Sequence, residues 1–177
     1  NNDATRVEVN TISAEMAKVR DYVPDYAVMA HRGSTFWAPE ETESAWRWAR
    51  EMGADYLESD LQCTKDGVIL ANHDDNLNRT TNIENVYSEL VPATRKAFYM
   101  RHGVSEEEAE KLVAADKASF RPYYAMSYMY EELLALDAGS WFNETSIEQA
   151  RKSFAEKHQY VSALEDQIRY AEGKMLK

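Results

Sequence analysis

The alternation of apolar and polar positions divides the chain into short elements. Residues 26–30, Tyr-Ala-Val-Met-Ala, form a brief apolar run ending at His31-Arg32-Gly33, which predicts a buried strand followed by a loop. Pro39 stands where a first helical turn accepts proline. Glu40, Glu41 and Glu43 suit the positive end of a helix dipole, and Ala45, Trp48, Ala49 and Met52 recur at helical spacing. Gly53 closes that helix. From Tyr56 to Gln62 the chain reads as a strand, sending Glu58, Asp60 and Gln62 to one face and Leu57, Ser59 and Leu61 to the other. Lys65-Asp66-Gly67 is a turn by composition, and Val68 to Asn72 form a further strand that delivers His73-Asp74 at its end. Strand, helix, strand predicts a βαβ unit.

Beyond residue 81 the pattern turns helical. Ser105 with Glu108 makes a capping box before Ala109, Leu112 and Val113, and residues 123–130 are crowded with Tyr and Met, suited to core packing or to a lid. This stretch reads as an insertion over about 83–130, and a lid there would restrict the leaving group of a reaction. Ser146 with Gln149 opens another helix. Ser162 with Glu165 opens one more, carrying Leu164, Ile168 and Ala171 and stopped by Gly173, after which Met175-Leu176 begins a next strand.

Composition narrows the class. The 177 residues, 44% hydrophobic, are enough for one sizeable core, and a single domain over 1–177 is expected. No apolar run approaches the roughly 18 residues of a membrane span, so no stable membrane insertion is expected. The first twenty residues lack the order of a signal peptide, and their polar start suits a processed periplasmic or secreted protein and a cytoplasmic one equally. Cys63 is the one cysteine, which excludes an intrachain disulfide and a cysteine zinc site; with no base placed beside it, a buried structural thiol is expected. A net charge of −11 leaves no basic footprint for nucleic acid. An acidic protein acting on phosphates needs a local cation.

The residues that carry chemistry lie close together in sequence. His31-Arg32-Gly33, Pro39-Glu40, Glu58-x-Asp60, His73-Asp74 and Arg79-Thr80-Thr81 fall in one stretch, with two of the four histidines among them. Phosphodiester cleavage needs a base for the attacking oxygen, an acid for the departing alkoxide and positive charge beside the phosphoryl oxygens. Two histidines, an arginine and a carboxylate-bound cation supply those parts. Glu58 and Asp60, two apart at a strand end, present oxygens to one side, as Mg²⁺ or Ca²⁺ requires. His102 and His158 lie outside the pattern and are expected to be structural.

These segments, with Gly53-Ala54-Asp55-Tyr56-Leu57-Glu58-Ser59-Asp60 and Thr64-Lys65-Asp66-Gly67-Val68, resemble the glycerophosphodiester phosphodiesterases in order and spacing. The resemblance is dense over residues 30–81 and resumes at Leu133 to Phe142 and around Leu164-Glu165-Asp166. It implies a TIM-like (β/α)8 barrel, of which this chain covers roughly the N-terminal half with a helical insertion. It also implies a phosphoric diester hydrolase that releases an alcohol and glycerol 3-phosphate from a small glycerophosphodiester. His31 and His73 would be the acid–base pair, Arg32 the phosphate ligand, and Glu58 and Asp60 the metal ligands.

The chain departs from the family pattern in places. The usual Pro-Glu-Asn-Thr is Pro39-Glu40-Glu41-Thr42, and the stretch between Thr81 and Leu133 is long. Relatives take a third acidic metal ligand from later strands, which would fall beyond Lys177. Eight βα units need about 200 residues or more, so the expectation is a fragment whose open edge is covered by the remaining barrel half or by a second chain. Two rival readings stay open: a non-catalytic half-barrel that binds phosphoesters or a partner, and a phospholipase D-like or sphingomyelinase D-like enzyme that forms a cyclic phosphate.

Overall fold

The computed structural model describes residues 26–145 and 158–171, together with Ala14. Strand β1 (Met29–Ala30) runs parallel to β2 (Tyr56–Leu57), with Met29 opposite Tyr56, and helix α1 (Glu43–Glu51) connects them as the expected βαβ unit. α1 starts at Glu43 rather than at Pro39, because Glu41 takes a left-handed backbone (φ 58°) that a helix does not continue. Thr42 is the cap: its Oγ1 accepts the Ala45 N–H at 3.4 Å and donates to Pro39 O at 2.6 Å. Gly53 ends the helix at φ 86°, its N–H donating to Arg50 O. Ala45, Trp46 and Ala49 are buried, whereas Trp48 is exposed and stacks on Trp37.

Two expectations about the strands are corrected. The 26–30 run is not buried: Tyr26 is 94% and Met29 62% exposed, since β1 has a neighbour on one edge only among the described residues. The predicted strand over 56–62 is two strands, β2 and β3 (Leu61–Cys63), interrupted at Glu58-Ser59-Asp60. The break arises where the Asp60 N–H donates to the Glu41 carboxyl at 2.8 Å instead of to a neighbouring strand.

β3 pairs antiparallel with β4 (Ile69–Ala71) around the predicted turn, where Gly67 sits at φ 85°. Thr64 Oγ1 stiffens that turn by donating to Asp66 at 2.6 Å and accepting the Val68 N–H at 2.9 Å. Cys63 is exposed rather than buried, because β3 turns its Leu61 and Cys63 face outward. Ala71 N–H donates to Ser162 O, which brings the 158–171 segment against β4.

The main core lies between β4 and the helical stretch. Leu70, Leu77, Ile83, Tyr128, Leu133 and Leu136 are its fully buried members. Within the Tyr/Met stretch, Tyr128 and Met129 are buried, as the core-packing reading has it. The helices are α2 (Ile83–Val86), α3 (Arg95–Arg101), α4 (Glu106–Ser119), α5 (Tyr130–Leu133), α6 (Ser140–Thr145) and α7 (Leu164–Ala171), with a 3₁₀ turn at Ala125–Ser127. Ser105 caps α4 as predicted, accepting the Glu108 N–H at 3.3 Å. The start of α7 is shifted by one residue: Asp166 accepts the Ala163 N–H at 3.1 Å, while the Ser162 hydroxyl donates to Tyr160 O. Ile168, one of the apolar positions that predict this helix, is exposed. The helix expected to open at Ser146, the Gly173 stop and the strand at Met175 lie outside the described residues.

Arg95, fully buried, fastens the helical stretch. It donates to Glu132 from Nε and Nη2 (2.9 and 2.8 Å), to Asp116 from Nη1 (2.7 Å) and to Ser127 O (2.8 Å). Lys65, in the β3–β4 turn, pairs with the same Asp116 at 2.9 Å. The hairpin that leads into His73 is thereby tied to helix α4. His102 and His158 sit in packing contacts, over Phe98 and Tyr160. No helix among the described residues is long and apolar enough to cross a membrane.

Candidate active site

The loop after β1 is held against α1. Arg32 and Gly33 both have left-handed backbones, at φ 58° and 89°, and a Cβ on Gly33 would lie 2.6 Å from the Ala45 Cβ. Ser34 N–H donates to Ala45 O, and Glu41 N–H to Arg32 O. His31 and Arg32 are thus presented at the C-terminal end of β1.

Arg32 meets both predicted metal ligands. Its backbone N–H donates to Glu58 Oε2 at 2.9 Å, and its Nε lies 3.0 Å from Asp60 Oδ2. That second contact is an ion pair by distance, but its angle misses a hydrogen bond, so Asp60 Oδ2 is a buried acceptor with unused lone pairs. One ligating atom each of His31, Glu58 and Asp60 lies within 4.8 Å of the others. Two carboxylates with an unspent buried oxygen, beside one imidazole, fit a hard divalent cation. The structure thus brings together four of the five residues singled out by sequence. His31 stands with the two carboxylates.

His73, the fifth, belongs to an adjoining chain of contacts. Its Nδ1 meets Asp74 Oδ1 at 2.6 Å, which orients the ring. Arg79 Nε donates to Asp74 Oδ2 at 2.8 Å, Arg79 Nη2 to Glu40 Oε1 at 2.6 Å, and Arg32 Nη1 to the same Glu40 oxygen at 3.2 Å. His73 and Arg32 are therefore linked through Asp74, Arg79 and Glu40. The hydrogen bonds from Arg79, and then from His73, hold the Asp74 carboxyl down at about 2. Burial pushes Glu40 up, but Arg79 and Arg32 outweigh it and leave Glu40 below the usual carboxylate value.

In the sequence Glu41 reads as one of the acids at the positive end of a helix dipole and as a departure from the Pro-Glu-Asn-Thr pattern. In the structure it is 4% exposed; its Oε2 accepts the Ser59 hydroxyl at 2.7 Å and its Oε1 the Asp60 N–H at 2.8 Å. Burial pushes its carboxyl up to about 7, against those two hydrogen bonds and helped by the charges of Asp60 and Glu58. The signal available in sequence is an extra carboxylate directly before the helix cap. Arg79 and Glu40 stand in the sequence constellation, and only the fold shows them paired.

The residue profile of the glycerophosphoryl diester phosphodiesterase family matches residues 31–175, more than half of the chain and the whole of this site. The chain belongs to that family. A glycerophosphodiester phosphodiesterase of Bacillus subtilis is 30% identical over 126 residues, covering 71% of this chain and 30% of that protein. A glycerophosphoinositol inositolphosphodiesterase of mouse is 30% identical over 127 residues, covering 72% of this chain and 18% of that one. The fold is similar to that of an Oleispira antarctica phosphodiesterase solved in complex with the product sn-glycerol-3-phosphate, with a TM-score of 0.55 and 22% identity. That match covers 88% of this chain and 43% of the Oleispira chain. The glycerophosphoryl diester phosphodiesterase fold seen here is part of a TIM-like barrel, and the chain spans less than half the length of these relatives.

Proposed function

We propose that the protein to which this chain belongs hydrolyses small glycerophosphodiesters to an alcohol and glycerol 3-phosphate, using a divalent cation, Mg²⁺ or Ca²⁺, held by Glu58 and Asp60. The observation that carries this is the grouping of His31, Glu58 and Asp60 within 4.8 Å, with Arg32 alongside. The names of the Bacillus relative and of the Oleispira product complex support the substrate class. A bound cation supplies Lewis-acid polarisation of the phosphoryl group. Arg32 places a guanidinium beside the phosphate oxygens. One of His31 and His73 takes the proton of the attacking water and the other gives a proton to the alkoxide as its bond to phosphorus breaks. Asp74 holds His73 by Nδ1 and leaves Nε2 for that transfer. The domain reading accompanies this proposal: residues 1–177 form one partial barrel unit, with 83–130 inserted beside the site.

The test is glycerophosphocholine turnover in the presence of Mg²⁺ or Ca²⁺ and in excess chelator, with phosphorus NMR of the product. Glycerol 3-phosphate that disappears with chelator, and with His31→Ala or His73→Ala while metal stays bound, supports the proposal. A cyclic phosphate product would assign the phospholipase D-like chemistry instead. Retained turnover in either histidine variant would overturn the assigned roles.

A further inference from the structure

Glu41 is a buried carboxyl in contact with the segment that carries Glu58 and Asp60. Both of its oxygens are used on the segment between β2 and β3: one by the Ser59 hydroxyl, the other by the Asp60 N–H. The close grouping of ligating atoms contains His31, Glu58 and Asp60 and does not include Glu41. A third carboxylate sits beside the two ligands and is turned toward their backbone.

The local backbone is built around that contact. A non-glycine residue at φ 58° carries a steric cost, so the turn at Glu41 needs compensation. It is fixed from both sides: Glu41 N–H donates to Arg32 O, and Thr42 caps α1 while bonding back to Pro39 O. The same Arg32 sends its own N–H to Glu58. Two left-handed residues joined by one hydrogen bond thus hold the two ligands in complementary ways. Arg32 holds the Glu58 side chain through a backbone donor, and Glu41 holds the Asp60 backbone through a side-chain acceptor.

We propose that Glu41 is a positioning residue that fixes the Ser59–Asp60 backbone so that Asp60 and Glu58 converge on one cation, an inference resting on the metal-site reading above. Without this acceptor the Asp60 N–H is left unpaired in a part-buried setting. The interruption between β2 and β3 then loses the brace that Glu41 supplies from beside the helix cap. The contact needs an acceptor at Oε1 and not a charge. Glutamine keeps the acceptor for Asp60 and offers Nε2 to the Ser59 oxygen, whereas alanine removes both.

The experiment is Mn²⁺ titration of the full chain, followed by the free-ion EPR signal, on wild type, Glu41→Gln, Glu41→Ala and Asp60→Ala, with folding monitored by circular dichroism. Glu41→Ala is expected to weaken Mn²⁺ binding about 10- to 100-fold, with Glu41→Gln restoring it to within about threefold of wild type. Loss of binding in Glu41→Gln as large as in Glu41→Ala would mean that charge or direct ligation matters, and would overturn the positioning role; Glu41→Gln alone decides should the alanine variant not fold. Wild-type affinity in a folded Glu41→Ala beside lost affinity in Asp60→Ala would overturn it while leaving the metal site standing. Wild-type affinity in Asp60→Ala would remove the metal site itself, and the positioning role with it.

Discussion

Arg79 donates to both oxygens of Glu40, at 2.6 and 3.1 Å, and by doing so bridges the loop after β1 to the loop after β4. Neither residue is among the ligating atoms. Their pairing sets the spacing between the part of the site that carries Arg32 and the part that carries His73.

Replacing Arg79 by methionine removes both anchors at once. Asp74 loses its strongest partner and holds His73 less firmly, while Glu40 keeps only Arg32. The side chain is partly exposed, which limits the effect through solvent screening. Turnover is expected to fall about tenfold with Mn²⁺ affinity unchanged, the pattern of a disturbed acid–base partner rather than of a lost metal ligand. Steady-state kinetics on glycerophosphocholine with parallel metal titration checks it; equal loss of both quantities would contradict the assignment.

Much of this arrangement is legible in the sequence, and the limits have physical causes. The βαβ unit, the β3–β4 turn and the Ser105 cap follow from local periodicity and cap chemistry, which a short window contains. Glu58 and Asp60 converge as their spacing predicts, but across a break in the strand and not along one. The interruption of the 56–62 strand does not, because the competing acceptor for the Asp60 N–H is the side chain of Glu41, nineteen residues earlier. Pro39 misplaces the helix start for the same reason: Glu41 leaves the helical region to reach that strand. The exposure of the 26–30 run and of Cys63 depends on which faces other strands cover, a tertiary property. The Arg95 network joins residues that lie 21 and 37 positions apart and has no local signature.

Arg95→Met is expected to destabilise the fold by about 3–5 kcal/mol, because it leaves Asp116 and Glu132 buried without their shared cation. Urea unfolding measures the difference. A loss below about 1 kcal/mol would show that the helical stretch is held by apolar packing alone.

Acid should act on Asp74 and Asp116. Arg79 and His73 hold Asp74 at about 2. Burial pushes Asp116 up, but Lys65, Tyr99 and Arg95 outweigh it and hold it below its ordinary value of 3.8. For a carboxyl whose folded value is depressed, the unfolded chain binds more protons in the window between the two values. The stabilisation is therefore complete above about pH 4 and lost as pH falls toward about 2. Thermal melting across that range should show a falling transition temperature, with a shallower fall in Asp116→Asn, which carries no titrating group at that position.

In the proposed function, Glu58 and Asp60 hold one cation beside His31. The most direct measurement is the anomalous difference map of Mn²⁺-soaked crystals. A single peak within roughly 2.0–2.6 Å of a carboxylate oxygen from each of Glu58 and Asp60 is the predicted result. Crystals at millimolar Mn²⁺ with no peak there, or with the two carboxylates facing separate environments, would contradict it.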